Sequence, residues 1–375
     1  MHLYIHQQKD WTNFTWDNEK LIPILAHARH LQGKLSGKML SLGFDLKQEA
    51  NLETLTLDVI KSSEIEGEIL QPEQVRSSIA RQLGMDISGL IPSDRDVDGV
   101  VEMMLDATQK YDKMLDAERL FGWHSALFPT GRSGMYRIRV GQWRKDETGA
   151  MQVVSGGFGK EKVHFQAPDA ALLDAEMVHF LAWFNVEKEL DPVLKAAIAH
   201  LWFITIHPFD DGNGRIARAI TDMQLSRAEG SAQRFYSMSA QIRLQRNGYY
   251  QILEKTQKGN SDITDWLAWF LECLTQSLLA TDKTLEKVLN KGEFWKKHTK
   301  TILNERQILM LNKFMGDFEG KLNSSKWAKM TKCSTDTALR DIQDLCQKAI
   351  LAKEESGGRS TNYVLLAENT EGPIY

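Results

Sequence analysis

The sequence predicts a mostly α-helical chain with one short β-rich insert and a small mixed domain at its end. Three observations carry this. Apolar residues recur at helical spacing over long stretches, as at Leu52, Leu55 and Val59. The texture changes between Gly131 and Pro168, where Gly, Arg, Val and aromatic residues replace the helical pattern. Beyond residue 300 three helical runs are followed by two short apolar runs around Gly357-Gly358.

Taken in order, residues 16–120 read as helices with short polar breaks. One helix is expected over Ala50–Leu70, its stripe running on to Ile69, and another over Val100–Leu115 after the break Leu90–Gly99. Residues 131–168 suggest strands or hairpins. Asp191-Pro192 has the form of a helix start, an N-cap acid followed by proline in the first turn. Residues 281–300 are polar and lysine-rich, as expected of a connecting helix or linker. The final pattern, Asn304–Met315, Ser324–Thr331, Ser334–Ala349 and a short hairpin, spells a winged helix-turn-helix. Three regions follow: a helical region over 1–94, a second unit over 95–282, and a linker helix with the winged helix over 283–375.

At 375 residues the chain exceeds one small core. Its 46 basic and 50 acidic side chains give no general attraction to nucleic acid or anionic lipid, so a partner must be recognised locally. The three cysteines, Cys273, Cys333 and Cys346, lack metal-ligand spacing and suggest reduced thiols. The first residues carry no signal-peptide pattern, and no apolar run approaches the roughly 20 residues of a spanning helix. The expected location is the cytoplasm, without a membrane.

The stretch His207–Arg218, HPFDDGNGRIAR, follows the apolar run Ala196–Ile206 and gathers chemistry that a core does not need. Gly212 and Gly214 allow a tight turn and close backbone approach, and the helix that follows offers unpaired amides at its amino end, which together make a phosphate cradle. Arg215 and Arg218, three apart, share a helix face and can clamp further phosphate oxygens. Asp211 offers a hard oxygen ligand for Mg2+ between phosphates. His207 can take a proton near neutral pH. These parts describe transfer from a magnesium nucleotide to a hydroxyl that the histidine deprotonates. Any one of these residues fits a surface turn or a satisfied core position; the ordered set does not.

HPFDDGNGRIAR resembles the signature of the Fic family: His, any, Phe, any, Asp or Glu, Gly, Asn, Gly, Arg, two free, Arg. Every fixed position is met. The resemblance covers roughly residues 95–280 and implies a helical Fic fold with a small β-hairpin flap. It implies an adenylyltransferase that moves AMP from ATP to a Ser, Thr or Tyr hydroxyl of a protein, releasing pyrophosphate. His207 is then the general base and Phe209 the loop's anchor in the core. Asp211 holds magnesium, while Gly212, Asn213 and Gly214 form the anion hole, and Arg215 and Arg218 meet the distal phosphates. The flap is matched by Lys162–Pro168, and Tyr249 or Tyr250 packs by the nucleotide.

A second stretch, SSEIEGE from Ser62 to Glu68, sets a problem of its own. The stripe Leu52, Leu55, Val59, continued by threes and fours, passes Ser62 or Ser63 and reaches Glu66, then Ile69. Glu66 therefore faces whatever the helix packs on, or the register drifts and it lies in water. A buried unpaired carboxylate costs several kcal/mol, so it must be protonated, solvated or paired with a cation. Ser62, Glu66 and Gly67 match the pattern of the inhibitory helix in Fic proteins. That resemblance implies that Glu66 pairs with Arg218 and keeps ATP from its productive pose.

The tail adds a rival reading, a nucleotide-sensing DNA-binding regulator. On Ser334–Ala349 the residues Ala338, Ile342, Leu345 and Ala349 are expected inside, and Asp336, Arg340, Asp341, Asp344 and Lys348 outside. Three acids against two bases suit a DNA backbone poorly, so DNA is not favoured and protein docking is the alternative. The Fic resemblance also allows removal of AMP from a modified protein, with Glu66 positioning water. It further implies that a second copy of the chain is a candidate partner.

Overall fold

The computed structural model describes residues 4–40, 42–85, 90–147, 149–156, 162–186, 188–315, 318, 320–354 and 361–366. It divides into two compact units, Met1–Thr284 and Leu285–Tyr375.

The first unit is helical around one short β insert. It begins with α1 (Asn18–Leu40), α2 (Phe44–Ile65), α3 (Pro72–Gln82), α4 (Arg95–Gln109) and α5 (Ala117–Leu127). Two small antiparallel pairs follow. One joins β1 (Arg132–Ser133) to β2 (Tyr136–Arg137), and the other joins β3 (Gln152–Ser155) to β4 (Lys162–Gln166). Helices then resume with α6 (Leu173–Val186), α7 (Pro192–Ile206), α8 (Asn213–Glu229), α9 (Met238–Leu244), α10 (Arg246–Gln257) and α11 (Thr264–Lys297), whose last residues belong to the second unit.

The core sits around α7, buried along its length and packed on α8. Such a helix reads as an unbroken apolar run rather than a stripe. Its start is the expected one: the Asp191 carboxylate accepts the Val193 amide at 2.8 Å, and Pro192 occupies the first turn. α2 packs on α9 and α3 and also reaches α8. Leu52, Leu55 and Val59 are buried as the stripe requires, but α2 ends at Ile65, so Ile69 lies outside it and is 91% exposed. The helix stops because Glu66 leaves helical geometry and Gly67 takes a left-handed φ of +88°. Of the lysine-rich residues expected to link the regions, 281–297 are helical as part of α11 and 298–300 lie beyond its end.

The second unit holds α12 (Glu305–Met315), α13 (Ser324–Thr331), α14 (Thr335–Gln347) and the antiparallel pair β5 (Leu351–Lys353) and β6 (Tyr363–Leu365). Its core joins Trp327 with Ala338, Ile342 and Leu345. Two expectations for the tail are corrected. Ala349 is exposed beyond the end of α14, and Asp341 is buried rather than outward. It accepts hydrogen bonds from Arg306 Nε at 2.7 Å and Asn304 Nδ2 at 2.8 Å. The Gly357-Gly358 turn lies outside the described residues. Among the described residues no helix is long and apolar enough to cross a membrane.

Candidate functional site

The site forms where α7 ends and α8 begins. His207 closes α7 in a left-handed conformation, φ +52° and ψ +58°, and so turns the chain into the motif loop. Phe209 then plunges into the core, 0% exposed, with its ring stacked on His124 at 4.2 Å between centroids. Asn213 pins the loop's two ends. Its Oδ1 accepts the Phe209 amide at 3.0 Å, and its Nδ2 donates to the Phe209 carbonyl at 2.8 Å. Its side chain thus braces the loop, and its backbone amide lies in the first turn of α8.

Gly212 precedes α8 with a φ of +80°, and a β-carbon there would stand 2.9 Å from the Phe128 ring. At Gly214 the reason for glycine is space. A β-carbon would meet Glu66 Oε1 at 2.2 Å, so a carboxylate already lies against the amino end of α8. That end presents amides without helical partners and favours an anion.

Glu66 reaches this point from α2 and hydrogen-bonds Arg218 Nη2 at 2.7 Å. Ser62 holds the same guanidinium, its Oγ accepting from Nε and its carbonyl from Nη2, both at 2.9 Å. The stripe left Glu66 either on a packing face or in water, and the Fic resemblance implied a pair with Arg218. The structure aims it at Arg218 but leaves its side chain 31% exposed, because it caps the helix rather than continuing it. Burial acts to lower the Arg218 pKa, but Glu66 and Tyr249 outweigh it and the guanidinium is held charged.

Arg215, 3% exposed, donates from Nη1 to Glu68 Oε2 at 2.6 Å and lies over the Phe128 ring at 5.0 Å. Two carboxylates from one short segment thus hold both arginines. Arg215 Nε and Arg218 Nη1 are buried without a hydrogen-bond partner among the described residues. Buried guanidinium donors of this kind mark where further oxygens can bind.

The His207 Nδ1 lies 3.3 Å from the Ile204 carbonyl, which can only accept, so Nδ1 carries the proton and Nε2 keeps its lone pair. Burial lowers its pKa to about 4, opposed by the Ile204 carbonyl and by Asp211 and Glu66, and aided by Arg144. The imidazole is therefore a neutral base at physiological pH. Asp211 accepts the Gly212 amide on Oδ1 at 2.6 Å and the Ser133 hydroxyl on Oδ2.

Of the two tyrosines expected beside the nucleotide, Tyr249 is buried next to Arg218, and Tyr250 is the more open of the pair. The Tyr249 hydroxyl meets His200 Nε2 at 2.8 Å, and His200 Nδ1 meets Thr221 Oγ1 at 2.9 Å. Thr221 donates to the Ala217 carbonyl at 2.8 Å, so its oxygen receives the Nδ1 proton, and the neutral His200 accepts from Tyr249. Burial and the Arg218 charge lower the His200 pKa to about 3, in keeping with that neutral state.

The sequence reading missed His124, Ser133, Arg144, His200 and the pairing of Glu68. His124 donates to the Asp211 carbonyl at 3.2 Å and accepts the Gly141 amide, also at 3.2 Å. Only the buried setting of the two histidines in apolar helices offered a signal. The strand expected as the flap is present as β4, with Phe165 buried against Tyr4, while the turn at 157–161 lies outside the described residues. Among the described residues no group of three or more His, Cys, Asp or Glu side chains forms a metal cage.

A helical protein is thereby defined in which a histidine, a helix amino end and two buried arginines meet at one motif loop. The Fic/DOC family model matches residues 114–225, and a domain of unknown function (DUF4172) matches residues 4–85. The chain therefore carries a Fic/DOC family domain over residues 114–225. It is 37% identical over 123 residues to the protein adenylyltransferase Fic of Drosophila yakuba, covering 32% of this chain and 21% of that protein. To the protein adenylyltransferase fic-1 of Caenorhabditis briggsae it is 29% identical over 225 residues, covering 56% and 42%. The chain therefore matches about a fifth to two fifths of the length of these relatives. A Fic family protein from Desulfovibrio desulfuricans shares the fold with a TM-score of 0.51 at 20% identity, over 94% of this chain and 98% of that one. A Fic domain-containing signaling protein from Bacteroides thetaiotaomicron does so with the same score and identity over 69% and 97%.

Proposed function

We propose that the chain is a protein adenylyltransferase, using ATP to place AMP on a Ser, Thr or Tyr hydroxyl of a protein, and held back by Glu66. The observation that carries the reading is the Glu66 carboxylate seated against Gly214 and paired with Arg218 at 2.7 Å. A carboxylate in that place stands where a phosphate oxygen of ATP would bind.

Once Glu66 leaves, the α8 amides, Arg215 and Arg218 bind the triphosphate. His207 Nε2 takes the proton of the incoming hydroxyl, whose oxygen attacks the α-phosphorus; the bond to the β-phosphate oxygen breaks and pyrophosphate departs. Asp211 is the residue that would hold magnesium, and its lone carboxylate suits an ion that takes most of its other ligands from phosphates and water. Magnesium bound there would neutralise phosphate charge. Ser62 and Glu66 fall within the DUF4172 match, so on this reading that region supplies the restraint. The cytoplasm is the compartment this reading expects.

A second reading, removal of AMP from a modified protein, is compatible with the same observation, the Glu66 carboxylate against the amino end of α8, where in that direction it would position the attacking water. One experiment separates the readings. Wild type, Glu66→Gly and Glu66→Gly/His207→Ala are incubated with magnesium and ATP labelled on the α-phosphate. Label should join protein chiefly in the single variant and vanish in the double one. If no variant takes label, the transfer reading fails and AMP release from a modified protein is assayed next.

A further inference from the structure

Arg144 lies outside the motif, on the chain between β2 and β3, yet it is only 2% exposed. Its contacts converge on the motif. The Arg144 amide donates to the Pro208 carbonyl at 2.9 Å, and Nε donates to the His207 carbonyl at 2.8 Å. Nη1 donates to Asp146 Oδ1 at 2.6 Å, and Nη2 donates to the carbonyl of Pro168, just beyond β4. Asp146 in turn accepts the Ala170 amide at 2.6 Å, which fixes the far side of the fork. One planar guanidinium therefore bonds the His207 backbone and the chain leaving the flap strand at the same time, a task that Lys cannot copy.

The backbone it holds is a costly one. His207 has a φ of +52°, a left-handed conformation that costs a non-glycine residue energy and persists only where the surroundings enforce it. Arg144 grips the carbonyl on that residue, and the Phe203 carbonyl takes its amide at 3.0 Å.

We propose that Arg144 is a positioning residue for His207: it clamps the left-handed backbone from behind and ties it to the end of the flap strand. The proposal rests on the transfer reading for its kinetic consequences, and on the geometry alone for the clamp. The charged groups that influence the imidazole are Arg144, Asp211 and Glu66.

The test compares Arg144→Gln and Arg144→Lys in the Glu66→Gly background. Both should lose kcat by at least about tenfold, the scale of a small misplacement of a reacting group, while KM for ATP moves far less. Arg144→Gln also removes a positive charge beside His207, so the acid limb of the pH profile should move to higher pH; Arg144→Lys keeps the charge and should leave it in place. A variant that merely fails to fold loses active protein, which ATP-binding stoichiometry counts, without moving the limb. Unchanged kcat and limb in Arg144→Gln overturn the proposal, and so does a loss that tracks the folded fraction alone. Should the parent transfer nothing, the function reading fails separately. The clamp is then tested on the free protein by NMR titration of the His207 ring, assigned with His207→Asn. An upward shift in Arg144→Gln but not in Arg144→Lys supports it, and no shift in either overturns it.

Discussion

Arg218 and Arg215 stand three residues apart on α8, each nearly sealed from water, each paired with a carboxylate from the segment after α2. They differ in what supports them. Arg218 has Ser62 on one side and the buried Tyr249, His200 and Thr221 chain on the other. Arg215 has the face of Phe128, and its partner Glu68 is 46% exposed. A guanidinium fixed by neutral hydrogen bonds stays in place when its carboxylate departs, whereas one held by a ring face and an exposed acid is free to follow its ligand. On the proposed reading restraint and binding are divided: Arg218 would be the fixed point of the lock, and Arg215 the adjustable arm.

The largest expected effect comes from breaking the fixed point. Glu66→Gly should raise AMP transfer by about 10- to 100-fold, the range of typical coupling between two sites. The rise is read as α-labelled AMP on protein under equal ATP and magnesium. Equal rates in the variant and the parent would end the idea of a lock.

Next is the pH dependence that two buried histidines create, one of them in the chain beside Arg218. His200 and His124 are buried and neutral, with folded pKa values of about 3 and about 4, below the unfolded value of about 6.5. Since the unfolded state binds the proton more readily, their contribution is complete above pH 6.5 and is lost as pH falls toward 4 and 3. Each can cost up to about 1.4 kcal/mol per pH unit in that window. Urea unfolding at pH 7.5, 6 and 5 should show a falling midpoint, and His200→Asn should flatten the slope. A slope identical in parent and variant would mean that His200 is not held neutral.

Tyr249→Phe separates the two arginines more finely. It leaves the His200 lone pair unpaired in the core, at about 1–3 kcal/mol of stability. In the Glu66→Gly background it should also weaken ATP binding by a few fold, because Arg218 loses a neighbour. Calorimetric ATP affinity equal to the parent's would show that Ser62 alone fixes Arg218.

This division was only partly legible in the sequence. HPFDDGNGRIAR carries its chemistry in order along twelve residues, so the motif's contents could be read from local spacing. Glu66 was found because a carboxylate interrupted an apolar stripe. Its cap position was not, since a helix end depends on the left-handed turn at Gly67 and on what the chain meets next. His200 and Arg144 left little trace. A histidine inside AAIAHLWFITI looks like any buried polar residue, and its direction of hydrogen bonding follows from Thr221 and Tyr249, which come 21 and 49 residues later. Asp341 misled for the same reason: helical spacing put it outside, and Arg306 on another helix drew it in.

Glu68→Gln is the smallest and sharpest test of the contrast. Glu68 is nearly half exposed, and exposed pairs contribute about 0–1 kcal/mol, so neutralising it should raise transfer no more than about fivefold. The gain should appear as a lower KM for ATP, because Arg215 is released to the nucleotide while Glu66 still occupies the cradle. Added to Glu66→Gly, the same change should give little more. With the cradle open, triphosphate charge outcompetes a single solvated carboxylate for Arg215. A gain from Glu68→Gln as large as that from Glu66→Gly would reverse the assignment, making Arg215 the fixed point and the buried Tyr249 and His200 chain a matter of core packing alone.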